Sequence, residues 1–283
     1  MVSSELTIVI TTFKSDKVIE ECLSSIGNKY RVIIIENSGD LNFKRKIESK
    51  YTNVECFLTG SNLGYAKANN LGLEKVKTKY LLPIGSDDYL IDTTNLPNTV
   101  ESLDQDDYSV GCNFKSSFIY GSKLVEDKTN IELKGDLRSR FCKFLLHVGA
   151  NSRYYGIIKT QIFINNYPKI SYFGDDVALS AKILSFGNWL YDEKIILHRE
   201  RGLSSNPHKL KEVLGYKLIP PMRFAREIVE YSSSKWSITF WLCFFIYITK
   251  ILIGPIRHFW TSRIYEWKII NWVITWLGIN SQK

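Results

Sequence analysis

Four short apolar runs recur in the first 90 residues, separated by stretches whose apolar positions fall at helical spacing. Leu6 to Thr11, Arg31 to Glu36, Val54 to Leu58 and Tyr80 to Ile84 predict buried strands. Between the first two, Val18, Ile19, Cys22, Leu23 and Ile26 repeat as one helix face, with Ser15 or Asp16 as its N-cap. Leu41 to Tyr51 predicts a polar helix after the turn residues Asn37-Ser38-Gly39-Asp40, and Asn62-Leu63-Gly64-Tyr65 opens another. Such alternation predicts an α/β fold, Rossmann-like, with a mostly parallel central sheet flanked by helices.

The pattern then becomes irregular. Asp92 to Asp107 reads as a helix flanked by loops, Tyr108 to Phe114 and Phe118 to Leu124 as two strands, and Val125 to Arg140 as a weakly patterned polar segment. Asp176 to Phe186 predicts a helix that buries Val177, Leu179, Ile183 and Leu184. Trp189 to Tyr191 and Lys194 to Leu197 predict two short strands. After Pro220-Pro221 the composition changes, which divides the chain into a domain over residues 1–220 and a tail over residues 221–283.

That tail changes the picture. It carries six of the seven tryptophans and eight Lys/Arg against three Glu, so it holds most of the chain's net charge of +8. Trp236 to Thr249 contains no charge, but Lys250 and Gly254-Pro255 interrupt it before the roughly 20 apolar residues that a span needs. Trp267 to Ile279 is shorter still. Basic residues interleaved with tryptophan and apolar stretches favour a membrane interface over nucleic acid, and helices lying in the plane over a true span. A buried C-terminal helix pair is the alternative. The N-terminus has neither the basic flank nor the cleavage site of a signal peptide. Five cysteines with no Cys-x-x-Cys pair fit a reducing cytoplasm better than a disulfide framework.

The candidate chemistry lies at strand ends. Gly85-Ser86-Asp87-Asp88 follows the fourth apolar run, so its acids emerge at the carboxyl edge, where open α/β sheets bind ligands. Carboxylates there can hold a hard divalent cation, and the cation can grip a diphosphate. A second acid pair, Asp175-Asp176, and then His198 follow. This order points to a metal-assisted transferase acting on nucleotide-activated substrates. Neither a dinucleotide Gly-x-Gly-x-x-Gly nor an ATP-type phosphate loop is present.

Four segments together resemble the family 2 inverting glycosyltransferases of GT-A fold, in particular rhamnosyltransferase-like enzymes that build bacterial surface polysaccharides such as O-antigen or capsule. Residues 62–73, beginning Asn-Leu-Gly-Tyr-Ala-Lys-Ala-Asn-Asn, are similar to the family's Asn-x-Gly-x-Ala-x-Ala-x-Asn-x-Gly helix. Gly85 to Asp88 stands in the place of its Asp-x-Asp metal motif, with Gly85 where Asp or Asn is common. Gly174 to Lys182 resembles its Glu-Asp-x-x-Leu-x-x-Arg segment, and His198 to Ser204 its His-x-x-Gly-x-Ser ending. The acceptor-side Gly-Phe-Asp-Glu of the rhamnosyltransferase type is missing; Tyr167 to Phe173 stands there instead.

The resemblance implies a set of roles. Asp87 becomes the principal ligand of Mn²⁺ or Mg²⁺, with Asp88 and His198 as further ligands. Asp176 becomes the general base and Asp175 the acid that orients it or the acceptor. Thr11, Thr12, Phe13, Glu36, Asn62, Gly64, Lys67, Ser86 and Asp87 line the donor side, Glu36 accepting from a pyrimidine N3–H. The implied partners are a nucleoside diphosphate sugar, a lipid-linked saccharide acceptor and the cytoplasmic face of the membrane. A nucleotidyltransferase and a non-catalytic glycan- or membrane-binding relative are the rival readings; the first lacks a glycine in Thr11 to Ser15 for its phosphate loop.

Overall fold

The computed structural model describes residues 3–120, 123–172, 174–200, 227–230 and 238–257. Its first half follows the apolar pattern. Strands β1 (Ser3–Thr12), β2 (Tyr30–Glu36), β3 (Val54–Leu58) and β4 (Tyr80–Gly85) pair in parallel in the order β3-β2-β1-β4. Helices α1 (Ile19–Ile26), α2 (Leu41–Lys50) and α3 (Tyr65–Leu73) connect them. Helix α1 buries Ile19, Cys22, Leu23 and Ile26 as its spacing requires, but Val18 is its N-cap and no side chain caps it. Ser15 instead supplies its carbonyl to the Val18 and Ile19 amides. Helix α2 is capped by Asp40, whose carboxylate accepts from the Asn42 and Phe43 amides at 2.8 and 3.0 Å.

Side chains alternate across each strand, so the sheet has two apolar faces. Ile8, Ile10, Val32, Ile34, Leu82 and Ile84 pack against α1, α2 and α4 (Leu96–Gln105). Val9, Ile33, Ile35 and Leu81 join the core formed with α3, α5 (Leu137–Leu146), α6 (Thr160–Asn166) and α7 (Asp175–Phe186).

Beyond β4 the expectation of a mostly parallel sheet gives way to a mixed one. The full order is β3-β2-β1-β4-β8-β6-β9-β5, with β7 paired to β6. The added strands are β5 (Tyr89–Leu90), β6 (Ser109–Tyr120), β7 (Lys123–Glu126), β8 (Ile157–Lys159) and β9 (Asn188–Glu200). Ladders β4–β8, β8–β6, β6–β7 and β9–β5 are antiparallel, whereas β6–β9 is parallel. The two short strands expected over Trp189 to Leu197 are one long strand, β9, and of the other expected pair β6 runs through the first into the start of the second, whose end falls in β7. The polar residues that suggested breaks find partners: Ser116 Oγ accepts from Asn130 at 2.8 Å, and Asp192 accepts from Asn95 and Thr99.

Connectivity forces the sheet to curl. The chain passes from Gly85 in β4 to Tyr89 in β5, a reach of roughly 14 Å at most. In a flat sheet those strands would be four spacings apart, about 19 Å. The far edge therefore bends back over the carboxyl end of β4, and β9 comes with it.

Of the tail, the structure describes 227–230 and a helix, α8 (Ile238–Arg257). No helix among the described residues is long and apolar enough to cross a membrane. The proposed boundary at Pro220-Pro221 and the stretch Trp267 to Ile279 lie outside the described residues. The expectation that the catalytic domain leaves this tail's apolar surface uncovered needs correction on one face. Phe240, Cys243 and Tyr247 are buried on the side of the helix that packs on α5, and Ile228 is buried in the same core, while Ile238, Trp241, Leu242 and Phe245 are exposed. Spacing of three and four residues puts the first set on one stripe. All five cysteines are buried, and none forms a disulfide.

Candidate active site

Parallel register brings the carboxyl ends of β2, β1 and β4 to one line, with Thr12 beside Glu36 and Thr11 beside Gly85. Thr11 donates its hydroxyl to Asn69 Oδ1 at 2.7 Å, which ties the strand end to α3. The Thr12 hydroxyl is buried and makes no hydrogen bond among the described residues, leaving it a donor and acceptor for a ligand at this edge. Phe13 stands 42% exposed at the rim, and Ser86 donates to Ser15 Oγ at 3.1 Å, linking the loops after β4 and β1.

Three donor-side expectations are altered by geometry. Glu36 is buried, and both its oxygens are taken: Oε1 accepts from the Ser38 hydroxyl at 2.5 Å and Oε2 from the Asp40 amide at 2.8 Å, with the Ser38 amide against both. It shapes the loop over residues 37–40 instead of presenting a free acceptor. Asn62 Oδ1 accepts from the Asn37 side chain at 3.0 Å and the Gly64 amide at 2.9 Å, so it too holds a loop. Gly64, with φ at 79°, turns that loop into α3 in a conformation that favours glycine. Lys67 is exposed on α3, two residues from the inward-facing Asn69 and so on the other side of the helix.

The loop after β4 explains its glycine. A Cβ on Gly85 would meet Asp88 Oδ2 at 2.7 Å and Asp87 Oδ1 at 2.9 Å, so both carboxylates turn into the space that a side chain would fill. Burial pushes the Asp87 carboxyl above its ordinary range, and Arg199 opposes that rise. Asp88 is only 4% exposed, with Arg199 Nε 3.9 Å from its Oδ2. His198 pairs with Tyr89 across β9 and β5, and the two rings meet edge to face at 5.4 Å. Burial lowers its pKa and favours the neutral imidazole.

Asp87, Asp88 and His198 do not close into one set, since no group of three potential ligands gathers among the described residues. Side chains alternate along β9, so Arg199, not His198, reaches the acid loop. Two convergent carboxylates still fit a hard cation, because Mg²⁺ and similar ions are held by one or two carboxylates plus substrate phosphates and waters.

The second acid pair opens α7 after Gly174, whose φ of 79° sets the turn. Asp175 accepts from the Tyr172 amide at 3.2 Å and from the Asp176 amide at 2.8 Å, which makes it a terminus-capping group. Burial, and then the charge of Asp176, push its carboxyl up to about 7. Asp176 Oδ2 accepts from Asn151 Nδ2 at 3.0 Å. Burial raises the Asp176 carboxyl; Asn151 and Arg199 act against the rise. Asn151 itself is held in the left-handed region, φ 51°, at the head of a 3-10 turn, Ser152–Tyr155.

Sequence reasoning missed Asn151 and Arg199. Asn151 gives no signal, since α5, the 3-10 turn and β8 fall in a stretch without clear periodicity. Arg199 offered one: a charge just past His198, which closes the apolar run Ile195-Ile196-Leu197 near a strand end.

A mixed, curled α/β sheet with one acid pair at its carboxyl edge, and a second within the electrostatic reach of the same Arg199, defines a GT-A-like glycosyltransferase fold. The model of glycosyl transferase family 2 matches residues 7–163, and the chain belongs to that family. Solved structures share the fold at low identity. S. aureus TarS 1–349 superposes with a TM-score of 0.63 at 17% identity, over 97% of this chain and 79% of that one. Its complex with UDP-GlcNAc gives 0.60 at 17% identity, over 94% and 75%. The mannosyltransferase PcManGT from Pyrobaculum calidifontis, in complex with GDP-Man and Mn²⁺, gives 0.56 at 12% identity, over 100% and 79%. Against the longer S. aureus TarS structure the chain spans 44% of that protein's length. No curated protein matches the chain in sequence.

Proposed function

We propose that this protein is an inverting glycosyltransferase that moves one sugar from a nucleoside diphosphate donor to a lipid-linked glycan in bacterial surface polysaccharide synthesis. The observation that carries it is that Arg199 of a family 2 chain lies 3.9 Å from Asp88 and also acts on the charge of Asp176, which links two acid pairs from distant parts of the sequence. In this reading Thr12 and Phe13 receive the nucleoside, with Glu36 and Asn62 setting the loops around it. Asp87, with Asp88 beside it, would hold Mn²⁺ or Mg²⁺, which when bound neutralises charge on the diphosphate. Asp176 takes the proton of the acceptor hydroxyl. The oxygen attacks the anomeric carbon from the side opposite the diphosphate, whose bond breaks and which leaves with the electron pair. One base suffices, and no enzyme nucleophile is needed.

The donor is taken from dTDP-rhamnose, UDP-galactose, UDP-glucose and UDP-N-acetylhexosamines, with GDP-mannose added by the PcManGT complex. The outward face of α8, with Trp241 and Phe245 exposed, supports attachment to the inner face of the membrane, the helix lying in its plane. Screening this nucleotide-sugar panel with Mn²⁺, Mg²⁺ or EDTA tests the reading. Metal-dependent consumption of one donor is expected, and Asp87→Ala should abolish the metal dependence of donor affinity by calorimetry. Failure of every donor overturns the class of reaction, whereas unchanged metal dependence in folded Asp87→Ala overturns only the ligand.

The acid pair also fixes a pH dependence. The base must be ionised to act, and burial raises the Asp176 carboxyl, so the rising limb of turnover should lie above the ordinary carboxylate range. Asp175, pushed higher by burial and by the charge of Asp176, ionises after the base, so Asp175→Asn should leave that limb near its place. A limb that moves to lower pH in a kcat–pH profile would show that Asp175 is already charged when the base titrates.

A further inference from the structure

Arg199 belongs to neither acid pair, yet it touches the supports of both. Its Nε lies 3.9 Å from Asp88 Oδ2. Its Nη1 donates to the Ala150 carbonyl at 3.2 Å and to Ser152 Oγ at 3.0 Å. Those two residues flank Asn151, whose amide holds Asp176. The guanidinium lies over the Tyr155 ring, 4.1 Å from its centroid, with Phe118 at 5.4 Å on another side.

This is an expensive way to place a cation. The Arg199 side chain is 16% exposed and that of Asp88 5%, so both charges have lost most of their water. At 3.9 Å their contact is an ion pair without a hydrogen bond, and Nε has no hydrogen-bond partner among the described residues. Buried pairs of this quality seldom recover their desolvation cost as stability. What the arrangement does secure is geometry: one planar, rigid group fixes the turn that aims Asn151 at the base and faces the loop of candidate metal ligands.

We propose that Arg199 is a positioning residue that sets the base, through the Ala150–Ser152 turn, at its working distance from the Asp87–Asp88 loop. The inference rests on the glycosyl-transfer reading for its consequence, but its geometry stands apart from it. Groups facing Asp176 are Asp175 on its own helix, Arg199 on β9, Tyr155 on the 3-10 turn and Tyr247 on α8. Among these Arg199 alone is a fixed cation. Removing it raises the base's pKa, so activity should begin at higher pH.

The test compares the full-length protein with Arg199→Gln and Arg199→Lys. Amide hydrogen exchange over residues 148–156 should quicken in both variants, while residues 30–60 exchange as before. At the pH optimum kcat should fall at least ~10-fold with donor KM changed less than about threefold, the pattern of a group acting on the chemical step. The rising limb of kcat with pH should move upward in Arg199→Gln and stay near its place in Arg199→Lys, which keeps the charge. Unchanged exchange at 148–156 overturns the proposal whatever the activity. A KM that rises in proportion overturns it in favour of direct donor binding, as does a pH limb that moves equally in both variants. If Arg199→Gln does not fold, exchange and kinetics of Arg199→Lys decide. A wild type inactive on every donor defeats the glycosyl-transfer reading, and the exchange result still decides the role of Arg199 in the turn.

Discussion

Asp176→Asn is expected to lower turnover by at least ~10²-fold, the low end for loss of a general base, while donor affinity stays within about twofold. The substitution suits this site because an asparagine carbonyl can keep accepting from Asn151 Nδ2, now 3.0 Å from Asp176 Oδ2. Packing at the head of α7 is preserved, and only the basic oxygen is lost. Asp175→Asn should be far milder at pH values above the neutral range, because that carboxylate spends itself on the Tyr172 and Asp176 amides. Initial rates with acceptor present, alongside calorimetry with nucleotide alone, separate the two. A dead Asp175→Asn beside an active Asp176→Asn would exchange their roles.

Removal of the chain from residue 231 onward should have the largest effect on stability. The inner stripe of α8 buries Phe240, Cys243 and Tyr247 in the core beside α5, and its loss would bare the face of α5 that carries Cys142. Large apolar side chains contribute about 1.5–3 kcal/mol each when buried, so three of them amount to something on the order of 5 kcal/mol. For a domain of this size that is a fall of roughly 10–20 °C in Tm, read by calorimetry or dye binding. Phe245→Ser tests the other face: it is 69% exposed, so Tm should hardly change while sedimentation with anionic lipid vesicles weakens. A truncated protein that melts like the full chain would show that α8 is dispensable to the core.

Local patterning carried the first half of the fold because each strand there is a short apolar run bounded by turns, and parallel neighbours are close in sequence. Val54–Leu58 is the case where expectation and structure coincide at both ends. The acids were legible for the same reason: a polar pair directly after a buried run must emerge at a strand end. Past residue 108 the pattern fails, because β6 and β9 continue through polar residues whose hydrogen bonds come from elements 14 to 97 positions away. No local signal reports such partners.

The sequence by itself determined the parallel half-sheet, the position of Asp87 and Asp88 at its edge, Asp175 and Asp176 at a helix head, and family 2 membership. Only the tertiary structure decided which of these meet. The passage from β4 to β5 in three residues, Ser86 to Asp88, curls the sheet, and the curl brings β9 over the acids. Alternation along β9 then directs Arg199 to Asp88 and leaves His198 against Tyr89. Likewise the apolar tail could be read as membrane-seeking from composition, but whether a stripe of it also serves the core depends on α5, about 100 residues earlier. Hydrophobicity is non-directional, and so it says that a face will be buried without saying against what.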